Sequence, residues 1–230
     1  STLPQLQGLH VTTATNIFFE NAPGKIIGVT GTKGKSTVAS LIYSILRKKC
    51  KDVRLVGNIG KPALDYLNGA TSKTIFVAEL SSQQLEDIKY SPRVAVILNI
   101  VPEHLDYHKN FSHYLKAKAN IVKYQTSKDF VVFNPADKFS SRIAAKSKAK
   151  KIIFSKQRKS ASLIPAENIA AAIAVGKLFR VPSSKIKLAL SEFKPLEHRL
   201  EFAGQYHGIK FYNDSLATIP EATIHALKVL

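Results

Sequence analysis

The sequence predicts an α/β protein: a P-loop-containing, mostly parallel sheet flanked by helices, with a β-hairpin–helix stub appended. Three observations carry this. Short apolar, β-branched runs alternate with amphipathic stretches of helical period. The stretch Gly28–Thr37, GVTGTKGKST, joins one such strand to a helix through a glycine-rich turn. After Phe193 the alternation stops, and two strand-like runs follow each other across His207-Gly208.

Strands are expected at 25–30, 53–56, 74–80, 93–99, 129–134 and 151–154. Helices are expected at 35–49, 61–68, 82–88, 110–125, 137–147, 166–180 and 183–192. Pro165 and Pro182 bracket one helix, placed where proline opens or follows a helix. Arg199–Tyr206 and Ile209–Tyr212 read as the arms of the hairpin. Asn213–Thr218 reads as a loop, and Pro220 opens a last helix.

Composition narrows the function classes. A hydrophobic share of 45% with 22% charged residues is that of an ordinary globular protein. The longest apolar runs, such as Val94–Ile97, are strand-length, so no membrane span is expected. The polar N-terminus has neither an apolar leader stretch nor an initiating Met, so a processed or excerpted chain is expected. The single cysteine, Cys50, excludes an internal disulfide framework, fits a reducing cytoplasm, and reads as a bland thiol at a helix end. The net charge of +18 invites a nucleic-acid reading. Its densest run, between Lys123 and Lys159, alternates with Ala and Ser like a solvated helix face. Phe130, Phe133 and Phe154 there fall inside strand patterns rather than stand free to stack on bases. Specific nucleic-acid binding is therefore not expected, whereas adventitious polyanion binding is.

The glycine-rich turn carries the chemistry. Gly31, Thr32, Lys33 and Gly34 let backbone N–H groups converge on an anion at a helix N-terminus, and Lys35 adds a full charge. Ser36 or Thr37 can place a hydroxyl on Mg²⁺. Val29 stands where the strict Walker pattern has its first glycine, so the generic motif fails by one residue. A glycine turn that merely caps a helix is the plainer alternative. Glu79, after the apolar run Thr74–Ala78, sits where open α/β sheets place ligands; buried, it should have a cation nearby, unless it caps the following turn. His104 and His108, four apart beside Glu103 and Asp106, also allow a zinc reading, against which stand the lack of a nearby cysteine and the Pro102 that puts His104 at a loop or first turn. His108 and His113 are expected on solvated helix turns.

The turn fits the pattern TGTxGKS/T, and with it the sequence resembles the Mur ligases and the related folylpolyglutamate synthases. The resemblance runs in order through Gly57-Asn58-Ile59-Gly60, Glu79–Leu85 (ELSSQQL), Leu98–Ile100, Glu103–Asp106 (EHLD) and Tyr114–Lys118 (YLKAK). It ends with His198–Phe202 (HRLEF) and Asn213-Asp214-Ser215. It covers about residues 20–230. Within the family, the ELSSxQLE run and the HRLEF…NDS pair look most like the D-glutamate-adding enzymes.

The resemblance implies an ATP-dependent amide ligase of peptidoglycan precursor synthesis, adding D-glutamate to UDP-N-acetylmuramoyl-L-alanine through an acyl phosphate. It implies ATP, two Mg²⁺ ions, a cytoplasmic location and a monomer. Residues 1–24 are then a linker or remnant, 25–195 the central ATP-binding domain, and 196–230 the start of a C-terminal domain. Lys35 is assigned to the β/γ-phosphates, with Asn168, Arg199 and Asp214 around the nucleotide. Ser36, Glu79, His104 and Lys118 are assigned to the metals, and Asn58, Ser81, Ser82 and Thr218 to the substrate. Lys118, in YxxxK, matches the family lysine that takes up CO₂ as a carbamate; this needs a neutral amine, hence a lowered pKa. Lys116 is the nearby competitor. Two departures from the family pattern stand out: Ala171 where HNxxNA has its second asparagine, and Leu216 and Ile219 in place of the Lys and Asn of DSKATN. These and the charge leave open a non-catalytic nucleotide or polyanion binder, and another Mur ligase or folylpolyglutamate synthase is the neighbouring enzyme reading.

Overall fold

The computed structural model describes residues 11–57, 62–155, 164–194, 198, 200–215, 217, 223–224 and 226–227. Helix α1 (Ala14–Asn21) leads into strand β1 (Lys25–Thr30), followed by α2 (Lys35–Arg47), β2 (Val53–Gly57) and β3 (Ile75–Glu79). Then come α3 (Ser82–Glu86), β4 (Val94–Ile97), α4 (Leu105–His108), α5 (Phe111–Ala119), β5 (Phe130–Phe133), α6 (Lys138–Ala145) and β6 (Lys150–Ile153). Helices α7 (Ala166–Leu178) and α8 (Ser183–Ser191) close the sheet domain, and β7 (Glu201–Tyr206) and β8 (Ile209–Asn213) form the hairpin.

The six-stranded sheet is parallel throughout, in the order β2-β3-β1-β4-β5-β6. Successive side chains of a strand point to opposite faces, and here both faces are covered, which is why the strands read as unbroken apolar runs. Ile27 and Val29 of β1 pack with Val38, Leu41, Ile42 and Ile45 of α2 and Ala171 and Val175 of α7. Ile26, one residue out of phase, joins Phe76, Ala95 and Ile97 beneath Phe18 of α1, Leu85 of α3 and Tyr114 of α5. The order reverses at β1, between β3 and β4, so a crevice opens at the carboxyl ends of those strands. The edge strand β6 presents exposed Lys150 and Lys151, which discourages pairing with another chain.

The expected helix at 61–68 is a 3₁₀ turn, Ala63–Leu67, and the expected 110–125 helix stops at Ala119 before a 3₁₀ turn, Asn120–Val122. Helix α1 is an addition to the sequence reading: the Thr13 hydroxyl accepts from Asn16 N at 3.2 Å, and Phe18 and Phe19 seal the sheet. The hairpin turns through His207 and Gly208, with φ of 47° and 81°, the pair of left-handed residues that a tight two-residue turn requires. Pro220 and the start of the expected last helix lie outside the described residues; 223–224 and 226–227 are helical. No described helix is long and apolar enough to cross a membrane.

Candidate active site

The loop after β1 passes directly into α2, whose N-cap is Gly34 at φ 84°. A side chain there would be strained by the backbone and would also collide with Asn168, whose Oδ1 lies 2.7 Å from where a Cβ would stand. Asn168, buried in the first turn of α7, is thus packed on the loop. Beside it the Asn134 amide donates to the Glu167 carboxylate, a contact at the end of β5 that the sequence reading did not include.

Thr32 is the junction of this end of the molecule. Its hydroxyl accepts from Val101 N (2.9 Å), lies 3.0 Å from the Tyr114 hydroxyl and donates to Val101 O at 3.0 Å. A hydroxyl carries one proton, so with that proton on Val101 O the Tyr114 hydroxyl is the donor to Thr32. Burial raises the Tyr114 pKa to about 12, which keeps it a donor. Thr32 N also donates to Asn99 O at 2.9 Å, binding the loop to the segment after β4.

Three charged side chains meet here. Lys35 Nζ donates to Thr32 O at 2.9 Å, across the loop it opens. Lys118, 1% exposed, comes up from α5 and donates to Gly31 O at 2.8 Å, with its ammonium 4.7 Å from the Tyr114 ring centre. Burial, then repulsion from Lys35, lowers its pKa from 10.5 to about 7. Lys116, the competitor, is exposed. Glu79 ends β3 opposite Val29 of β1, is 4% exposed, and its Oε2 has no hydrogen-bond partner. The cation expected near Glu79 is Lys118, which feels its charge without an ion pair: no described salt bridge includes this carboxylate. Nor does Glu79 cap α3. Ser81 does, in a reciprocal pair with Gln84. A buried, unsatisfied carboxylate oxygen costs several kcal/mol, about 2 or more, unless a cation or donor joins it.

The histidines divide. His104 is exposed, stands before α4 in the left-handed region (φ 54°), and has Nε2 3.7 Å from Glu103 Oε2. The other Glu103 oxygen is 2.5 Å from Lys33 Nζ, so the Lys33 side chain is engaged by an acid. His108, expected in solvent, is instead buried: the chain reverses at Lys109 (φ 65°) and folds it inward, its Nε2 2.9 Å from Ser82 Oγ. Burial lowers its pKa, so the ring is held neutral. His113 is exposed as expected. Among the described residues no three of His, Cys, Asp and Glu gather as metal ligands, so the zinc reading of His104 and His108 has no cluster to rest on.

Ser36 and Thr37 open α2, and Ser81 is half-buried while Ser82 is buried. Asp214 Oδ1 accepts from Leu200 N at 3.1 Å, which ties β8 back to the start of the hairpin. Arg199, Asn58 and Thr218, together with Leu216 and Ile219, lie outside the described residues. Tyr114 and Asn134 were absent from the sequence-based site, and Glu103 and His108 entered it only through the zinc reading. Glu103 and Tyr114 stood inside quoted motifs, but nothing in their spacing announced a contact with the loop.

A family model for the Mur ligase middle domain matches residues 29–207. The UDP-N-acetylmuramoylalanine–D-glutamate ligase of Koribacter versatilis is 35% identical, over 96% of this chain and 56% of its own length. That of Geobacillus kaustophilus is 36% identical, over 96% and 55%. The MurF ligase from Thermotoga maritima, solved in complex with ADP, superposes with a TM-score of 0.73 at 21% identity, over 94% of this chain and 59% of that one. The chain thus spans about half the length of the curated relatives it matches.

Proposed function

The chain belongs to the Mur ligase family, and from that premise we propose that it is the ATP-binding core of an enzyme that joins D-glutamate to UDP-N-acetylmuramoyl-L-alanine. Residues 25–195 are then the central domain, and 196–230 begin the C-terminal one. The observation that carries the reading is the meeting of Lys35, Lys118 and Glu79, whose Oε2 has no partner among the described residues, at the switch point of the sheet.

Amide formation needs an activated carboxylate: ATP would transfer its γ-phosphoryl group to that carboxylate with ADP leaving, and attack by the incoming amine would then expel phosphate and release a proton. Lys35 and the backbone of Gly31–Gly34 hold the β/γ-phosphates, Asn168 supports the nucleotide from α7, and Arg199 and Asp214 are assigned to the nucleotide with it. Mg²⁺ would neutralise the phosphate charge. Magnesium is commonly held by one or two carboxylates with substrate phosphates, and an orphaned carboxylate oxygen beside a phosphate loop suits that habit. Glu79, Ser36 and His104 would hold the ions. Lys118, with its pKa near 7, keeps a neutral fraction at physiological pH. That amine would attack CO₂, forming a C–N bond and releasing one proton, and the carbamate anion would offer a further oxygen to the metal. Ser81 and Ser82, with Asn58 and Thr218, are assigned to the muramoyl substrate. The reading places the enzyme in the cytoplasm as a monomer.

Calorimetry with Mg²⁺·ATP tests the core. The parent should bind and Lys35→Ala should not, with the fold intact. Equal binding by Lys35→Ala overturns the phosphate-loop assignment. In the complete enzyme, phosphate release should require D-glutamate. Release prompted by another amino acid, or by a folate, moves the chain to a sister ligase, and no release at all favours a non-catalytic nucleotide binder.

A further inference from the structure

The segment that carries His104 is held in an uncommon shape. His104 and Lys109, both with side chains, occupy positive φ at 54° and 65°, at either end of the one-turn helix α4. Such residues persist only where neighbours over-determine them. On the far side the anchor is His108 on Ser82. On the near side it is Glu103, held by Lys33 at 2.5 Å, with both side chains largely shielded from solvent (29% and 16% exposed). Lys33 belongs to the phosphate loop, and its neighbour Thr32 is already bonded to Asn99 and Val101 of the same segment. The loop and the turn are therefore two parts of one body, joined by backbone and hydroxyl bonds up to Val101 and by a single described ion pair beyond it.

Resting on the nucleotide reading above, we infer that Lys33 and Glu103 are positioning residues: their ion pair ties the His104 turn to the phosphate loop, so that a nucleotide on the loop is felt at His104. Lys33 is the variable position of TGTxGKS, and the structure assigns it a partner outside the loop. Lys33 meets the nucleotide through its backbone, and neither side chain needs to touch it for this. A nucleotide that rigidifies the loop lowers the cost of holding the turn, and the coupling must run equally in both directions.

The test uses the 230-residue chain itself, with Mg²⁺·ADP as the probe. Hydrogen exchange of the amides of residues 103–109 is measured with and without Mg²⁺·ADP, beside calorimetric affinity, in the parent and in Lys33→Met, Glu103→Gln and the double variant. Nucleotide should slow this exchange roughly tenfold in the parent. At saturating Mg²⁺·ADP either single variant should lose most of that protection, Glu103→Gln should bind Mg²⁺·ADP within about threefold of the parent, and the double variant should lose no more than the singles. Lys33→Arg, which keeps the charge, should retain it. Full protection in Lys33→Met, or losses that add in the double variant, would overturn the inference. Nucleotide binding without protection in the parent overturns the coupling alone, whereas a parent that binds no Mg²⁺·ADP overturns it together with the nucleotide reading.

Discussion

The two ends of the same sheet treat charge in opposite ways. At the amino end, Asp52 before β2 accepts from Arg54 Nε at 2.9 Å, Arg54 Nη2 at 3.1 Å and the Thr74 hydroxyl at 2.5 Å. Arg54 spends its remaining donors on the carbonyls of Tyr66, Asn68 and Gly69, at 2.6, 2.7 and 3.1 Å. Those bonds, Arg54 foremost, hold the Asp52 carboxyl below its ordinary range. At the carboxyl end, Glu79 keeps an oxygen without a partner, Lys118 is stripped of most of its affinity for a proton, and His104 sits in a strained backbone conformation. A satisfied polar cluster stabilises the fold. An unsatisfied one is stability withheld for a ligand.

The largest effect that would break this comparison is at Lys118. In the complete enzyme Lys118→Ala should leave ATP binding in place yet lower turnover on the order of a hundredfold to a thousandfold. A short carboxylic acid that occupies the carbamate's place should restore part of it. Loss of nucleotide affinity equal to the loss of turnover would show instead that Lys118 only supports the loop.

Opposite signs are expected for the two carboxylates. Asp52→Asn should destabilise the chain by about 1 kcal/mol in urea unfolding, a value discounted because its side chain is 36% exposed, with no change in nucleotide affinity. Because the folded pKa of Asp52 is depressed, its contribution is complete above 3.8 and fades as pH falls through the folded value. Glu79→Gln should stabilise by about 1 kcal/mol while abolishing Mg²⁺-dependent turnover. Two destabilising substitutions would erase the distinction.

Lys118 also makes stability depend on pH. Its proton leaves near 7 in the folded chain and near 10.5 in the unfolded one. Between those values the unfolded chain holds the extra proton, so stability should rise as pH climbs from about 7. Measured against Lys118→Met in CO₂-free buffer, the parent should gain about 2 kcal/mol between roughly pH 6.5 and 9. A flat difference would mean that the lysine titrates normally.

The smallest effect belongs to the basic edge near β6, where Lys146, Lys148, Lys150 and Lys151 are exposed. Lys146→Ser with Lys148→Ser should change stability by less than about 0.5 kcal/mol. It should shorten retention on a polyanion column at low salt only, the behaviour of a screened surface charge rather than a site.

Much of this molecule was legible before any coordinates. All six sheet strands fall where the sequence predicted them, because the inner strands of a parallel sheet covered on both faces are apolar along their length, while the edges β2 and β6 admit Arg54, Lys150 and Lys151. The place of Lys35 at a strand-to-helix junction was legible too, through local spacing and motif order. Helix α1 was not: eight residues with one cap and two phenylalanines carry little periodicity until the sheet supplies a surface for them.

What the amino-acid sequence determined by itself was therefore local: the alternation of strands and helices, the glycine turn with its lysine, and the family. The tertiary structure decided the rest. It turned His108 inward against Ser82, set Lys118 near the Glu79 carboxylate without a described ion pair, brought Glu103 to Lys33 across 70 residues, and made Tyr114 the donor to Thr32. The physical reason is that burial and pairing belong to space rather than to sequence. A side chain's dielectric surroundings, and so its charge, are set by whichever elements the sheet order places beside it.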